Sequence, residues 1–210
     1  VDINLNRYTF DSDGKATPQN GSVIDSYYSE TESKGNAIAK SIPNFKLSVI
    51  ANGGFYIGRY EARTTTARND KGNALTQITE KGTDQVYNYV KQQQATQLAQ
   101  EMYTSNNFTS DLMNSYAWDT ATLFFQSCGT NKKYSRQCSL NTSRLQTGTN
   151  SLTEVNKIDK QCNVYDIASN VWEWTTETSS DSDYPCVGRG GFCDDCLNYF
   201  TSIRLSCNTS

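Results

Sequence analysis

The chain has 210 residues, a net charge of -3 and no histidine. That length fits one large domain able to bury a core. The lack of any basic cluster beyond Lys132-Lys133 excludes a nucleic-acid partner, and no apolar run approaches the length needed for membrane insertion. Without histidine, Ser-His-Asp and Cys-His catalysis and the commonest transition-metal ligand are excluded.

Residues 1–44 are polar and punctuated by Asp11-Ser-Asp-Gly14, Pro18, Asn20-Gly21 and Lys34-Gly35, with one apolar alternation at Val1, Ile3 and Leu5. They predict an N-terminal extension made of an edge strand and ordered loops. The start at Val1 rather than Met is compatible with a leader or anchor removed upstream. The remaining residues, 45–210, form the main domain. Aromatic and branched residues alternate from Gly54 to Glu61 after Asn52-Gly53 and predict a central strand. Val86, Val90, Leu98 and Met102 recur at helical spacing and predict a helix over 84–103, with Gln92 to Gln94 on its wet face. A second helix is predicted over 111–126, capped by Ser110, with Leu112, Tyr116, Ala117, Leu123 and Phe124 inward and Trp118 against the sheet. Residues 129–160 read as a long loop, and 164–167 and 171–175 as short strands before the Arg189-Gly190-Gly191 turn.

From Thr178 to Ser210 there is no Lys, Glu, Gln, Met or Trp. These types supply roughly a fifth of the preceding chain, so chance would spare so long a run less than about once in a thousand trials. They are the five residue types whose codons all end in a purine. A segment whose codons end in a pyrimidine, with the first two bases randomised, encodes only the other fifteen, so the tail has the composition of a library member.

Four motifs in one order carry a resemblance: Gly53-Gly-Phe-Tyr-Ile-Gly-Arg-Tyr-Glu-Ala62, Tyr116-Ala-Trp-Asp119, Tyr165-Asp-Ile-Ala-Ser-Asn-Val-Trp-Glu-Trp-Thr175 and Val187-Gly-Arg-Gly-Gly191. They resemble the formylglycine-generating-enzyme (sulfatase-modifying factor) domain, in the form used by the variable proteins of diversity-generating retroelements. The resemblance implies an α+β, C-type-lectin-like fold with two helices on short, mostly antiparallel strands and long irregular loops. It also implies that Trp172 and Trp174 pack the core and that Arg189, Gly190 and Gly191 hold a turn beneath the binding face. The family's closing Gly-Phe-Arg strand has Ser202-Ile-Arg-Leu205 as its nearest match, and an early chain end is favoured slightly over that strand. The variable region of about 178–210 is then displayed. Phe192, Cys193, Asp194, Asp195, Cys196, Leu197, Asn198, Phe200, Ile203, Leu205 and Cys207 are its ligand-binding positions, split between inward and outward faces.

The expected function is recognition without catalysis, of a protein or glycan ligand on a cell or virion surface. Abundant Asn, Thr, Ser and Tyr with few Lys and Glu point to an extracellular, cell-surface or phage-virion location. Two alternatives stand beside it: a copper-dependent formylglycine-generating oxidase, and a sugar-binding lectin. Copper would need Cys193 and Cys196, whose spacing is tighter than that of the family's active pair; zinc would need Cys186, Cys193, Cys196 and Cys207 at loose spacing. Neither metal is expected. A structural calcium ion at Asn170 and Glu173 is compatible with the resemblance, while Asp181, Asp183, Asp194, Asp195 and Asn198 read as solvated acids and amides rather than a calcium loop. Seven cysteines cannot all pair within one chain; Cys128 with Cys138, and Cys162 with Cys186, are the candidate disulfides.

Overall fold

The structure is a computed structural model describing residues 2–19, 42–66, 68–70, 72, 74–79, 85–105, 107–138, 159–179, 181, 183–191 and 199–208. The described residues form an α+β fold of three α-helices and short antiparallel strands.

The chain opens with a hairpin of β1 (Tyr8–Phe10) and β2 (Ala16–Pro18). Asp11 closes its loop by accepting from the backbone N–H groups of Asp13 and Lys15, and Gly14 supplies the positive φ. The strand therefore lies beyond the Val1-Ile3-Leu5 alternation. Helix α1 (Ile42–Asn52) follows the segment 20–41, and Gly53, at φ 74, ends it in the left-handed conformation. Asn52-Gly53 thus terminates a helix rather than opening a strand. Residues 54–60 are irregular: the alternation there finds no partner strand among the described residues, and Tyr56 is 93% exposed against the edge of Phe108.

Pairing begins at β3 (Arg63–Thr64) with β4 (Gln85–Val86), so the N-terminal part of the predicted first helix is a strand. Helix α2 covers only Gln92–Glu101. It starts where the Gln94 side chain accepts from the Lys91 N–H and where Gln92 Nε2 donates to Thr175 O at 2.5 Å. Gln92 is consequently buried, not wet. A small hairpin of β5 (Thr104–Ser105) and β6 (Phe108–Thr109) leads to α3 (Ser115–Cys128). Asn114, not Ser110, is the N-cap, its Oδ1 accepting from Ala117 N at 2.8 Å; Ser110 Oγ donates instead to Ala99 O. The inward face of α3 is Ala117, Trp118, Ala121 and Phe125, whereas Phe124 lies exposed.

A 3-10 turn (Tyr134–Arg136) packs on α3, and Ala121, Phe125, Tyr134 and Ala168 form the apolar core with Ile57, Met113, Val164 and Ile167 around it. The hairpin β7 (Lys160–Gln161) and β8 (Val164–Tyr165) precedes β9 (Glu173–Thr178), β10 (Cys186–Arg189) and β11 (Leu205–Cys207). These last three form the largest sheet, antiparallel in the order β11-β10-β9, with Cys186 opposite Cys207 and Arg189 opposite Glu173. Of the Ser202–Leu205 segment only Leu205 is in a strand: β11 covers Leu205–Cys207 and pairs with β10, whereas 202–204 are not in a strand. Residues 2–19 pack on α3 rather than trailing from it, with Asn6 N donating to Thr120 Oγ1 and Gln126 Nε2 to Gly14 O.

Candidate functional site

The C-terminal tail rests on a buried ionic cluster assembled from five segments. Arg189, at the end of β10, donates through Nη1 to Glu177 Oε2 at 2.8 Å and through Nη2 to Asp119 Oδ1 at 2.6 Å. Arg204, just before β11, donates from Nε to the other Glu177 oxygen at 2.5 Å and from Nη2 to Asp119 Oδ2. Arg7 adds a 2.7 Å bond to Glu177 Oε1, and Tyr8 N donates to Asp119 Oδ2. Two carboxylates thus bind three guanidinium groups. Burial opposes the Arg204 charge, but Asp119 and Glu177 outweigh it and hold the group above its usual range. Desolvating these ions is tolerable only because each carboxylate has several charged donors.

The Arg189-Gly190-Gly191 turn follows directly. Gly190 has φ 88, and a Cβ there would fall 2.9 Å from Ile167 O; one on Gly191 would fall 2.1 Å from Ala168 O. No side chain fits at Gly191, so the chain passes flat over residues 167–168 before reaching 192. It returns at Tyr199, whose ring meets the edge of Trp172 with 5.1 Å between centroids, and at Phe200, whose ring lies 3.6 Å from the Arg136 guanidinium carbon. Thr201 N then donates to Gln137 O and Ser202 N to Ser135 O, while Trp118 Nε1 donates to Thr201 O at 2.9 Å.

The expected binding positions divide accordingly. Phe192, Cys193, Asp194, Asp195, Cys196, Leu197 and Asn198 lie outside the described residues. Phe200, Ile203, Leu205 and Cys207 are half-buried on the scaffold. Trp172, expected in the core, is 37% exposed beside Tyr199, and Trp174 is half-buried with Nε1 donating to Val90 O at 2.8 Å. The buried tryptophan is Trp118. Residue 172 precedes β9, where its Cβ lies by Gly188 and its ring turns to Tyr199, and the buried indole is supplied by α3 instead. Asp181 Oδ1 accepts from the N–H groups of Asp183 and Tyr184, an ordinary loop role.

A second buried group lies under the same turn. Tyr134 Oη donates to Asp159 Oδ1 at 2.7 Å, Ala168 N to Asp159 Oδ2, and Ser169 Oγ to Asp166 Oδ1. Asn170 Nδ2 donates to Glu61 Oε2 at 2.5 Å. Within this group the buried oxygens Glu61 Oε1, Asp166 Oδ2, Asn170 Oδ1 and Glu173 Oε2 have no hydrogen-bond partner among the described residues. Burial, then the neighbouring carboxylates Asp166 and Asp159, push Glu173 up to about 8. Burial and Asp159 push Asp166 up to about 7, and burial with Glu173 and Asp166 raises Glu61 well above the carboxylate range. Among the described residues no three acidic or thiol side chains converge to hold an ion by themselves. A cation here would therefore draw on the amide oxygen of Asn170 and on main-chain carbonyls as well as carboxylates.

Neither candidate disulfide is formed. Cys128 and Cys162 are exposed free thiols; Cys138 is disulfide-bonded, and the Cys186 thiol is buried 3.6 Å from Gln92 Oε1. Cys128 and Cys162 thus do not bridge to Cys138 and Cys186: Cys186 sits in β10 opposite Cys207, and Cys162 in the β7–β8 turn next to Gln161, which docks on the end of α3. The residues that sequence reading missed are Arg7, Asp119, Glu177 and Arg204. Their signal was weak: single charges scattered over four segments, although Asp119 sits within a quoted motif. No family model, curated protein or solved structure matches the chain.

Proposed function

We propose that this chain is a non-enzymatic recognition protein, a C-type-lectin-like scaffold that presents a retroelement-diversified segment to a protein or glycan ligand on a cell or virion surface. The observation that carries this reading is the pair of anchors flanking 192–198. On one side, Arg189 is locked into the ionic cluster and Gly191 lies flat on Ala168. On the other, Thr201 and Ser202 bond to the 3-10 turn segment and Arg204 returns to the same two carboxylates. A stretch fixed at both ends by residues outside it tolerates substitution, because the folding energy resides in the anchors. Within the purine-codon gap, Arg204 and Thr201 serve as scaffold, and variation is confined to 192–198 and the half-buried positions beside them. Asn170 and Glu173, with main-chain carbonyls beside them, would hold a structural calcium ion, which supplies positive charge next to the buried acids Asp166 and Glu61.

The test is a set of variants in which 192–198 is refilled from the fifteen pyrimidine-codon residue types. Most are expected to unfold within about 3 °C of the parent while differing in binding to arrays of surface proteins and glycans. A set that mostly fails to fold, or that folds and binds identically, defeats the proposal.

A further inference from the structure

The end of α3 and the β7–β8 hairpin meet at one corner of the molecule. Gln161 lays its side chain over the helix terminus: Thr130 N donates to Gln161 Oε1 at 3.0 Å, and a Cβ on Gly129 would fall 2.2 Å from that same oxygen. The contact brings two cysteines to this one corner, since Cys128 immediately precedes Gly129 and Cys162 immediately follows Gln161. Both thiols are free and exposed. Lys132 stands over the same corner, its Nζ donating to Ser127 O and Gly129 O. The thiols also sense one another: after burial, the Cys128 charge is what raises the Cys162 thiol, and Lys132 opposes it.

The backbone at Cys162 points the same way. Cys162 and Asn163 have φ of 48 and 69, forming the two-residue turn between β7 and β8. Such a turn favours Asn-Gly, and a cysteine in the left-handed region is strained. Asn163 is the expected kind of residue at such a position and Cys162 is not, and strained positions of this kind cluster at functional sites.

We propose that Cys128 and Cys162 are a redox pair that closes to a disulfide under oxidising conditions and staples the two ends of the 129–161 segment. A thiolate of the pair attacks one sulfur of a small external disulfide, forming a mixed disulfide and releasing one thiol. The second cysteine's thiolate then attacks the protein-side sulfur, forming the Cys128–Cys162 bond and releasing the second thiol. The two protein sulfurs are oxidised, the external disulfide is reduced to two thiols, and those thiols take up the two protons. The chain holds another disulfide at Cys138, so both states suit a compartment where thiols oxidise.

The experiment treats the full chain with oxidised glutathione and digests it without reductant. A peptide containing Cys128 linked to one containing Cys162 is expected, with loss of two hydrogens from the intact mass and two fewer thiols titrating. Closing a loop of this length is expected to raise Tm by about 5–10 °C. Cys128→Ser and Cys162→Ser, both at exposed positions, should each abolish link and shift, while Cys207→Ser keeps them. A lasting glutathione adduct on either residue, a link to another cysteine or between two chains, or thiols that stay reduced overturns the proposal.

Discussion

Arg204 changes how the tail is understood, because it lies inside the biased segment yet binds both carboxylates that hold Arg189. A library position tolerates any residue; a guanidinium spanning two buried carboxylates does not. Removing Arg189 leaves buried negative charge without its main counterion, so Arg189→Leu is expected to cost about 3–5 kcal/mol in urea unfolding. Arg204 is 26% exposed, so water compensates part of its loss, and Arg204→Leu should cost less than Arg189→Leu but well above 1 kcal/mol. A neutral Arg204→Leu would mean that the tail is not anchored by these ions. Trp172 carries the opposite lesson. Its Trp-Glu-Trp context reads as core, yet one ring points outward beside Tyr199, where it adds an aromatic surface next to the tail.

Helix α3 owes its boundary to one amide. Asn114 is fully buried and caps Ala117 N, whereas Ser110, equally suited by residue type, is engaged four residues earlier by the Ala99 carbonyl in the last turn of α2. Asn114→Ala is expected to lower stability by about 1–2 kcal/mol, measured by chemical unfolding, and Ser110→Ala by clearly less. An equal loss at both would place the cap wrongly. Helix α2 shows why its wet face was misread: Gln92 is polar in sequence but lies beneath β9, where Thr175 O needs a donor. Strand β11 has only three residues, Leu205-Ser206-Cys207, too few for their alternation to mark a strand, and pairing with β10 is what defines it.

Across the whole molecule, residues from the first hairpin, α3, β9, β10 and the tail converge on Asp119 and Glu177, so distant segments fold as one unit. The acid nest beneath the Arg-Gly-Gly turn gives the molecule a defined pH response. Folding raises Glu173 from 4.5 to about 8 and Asp166 from 3.8 to about 7. The folded state then holds more protons than the unfolded one, so the contribution to stability is full below the unfolded values and is lost as pH rises through about 7–8. In chelator, Tm is expected to fall between about pH 5 and pH 8.5, and calcium should restore it most at the alkaline end. A Tm that rises with pH in chelator, or a calcium effect absent at alkaline pH, would contradict this account of the nest.

Residue types alone decided what the molecule lacks and where it turns: the missing histidine, the purine-codon gap, and the helical period running through Trp118. The glycine pair at 190–191 was also readable, because a tight turn leaves a mark in composition. Tertiary structure alone decided which charges meet, since Arg7, Asp119, Glu177, Arg189 and Arg204 are brought together only by packing. It likewise turned the 54–60 alternation into irregular chain, exposed Trp172 and made β11 a strand. Alternation needs a neighbouring edge to become a strand, and an ion needs its partner delivered by folding; neither condition is written in a local stretch of sequence.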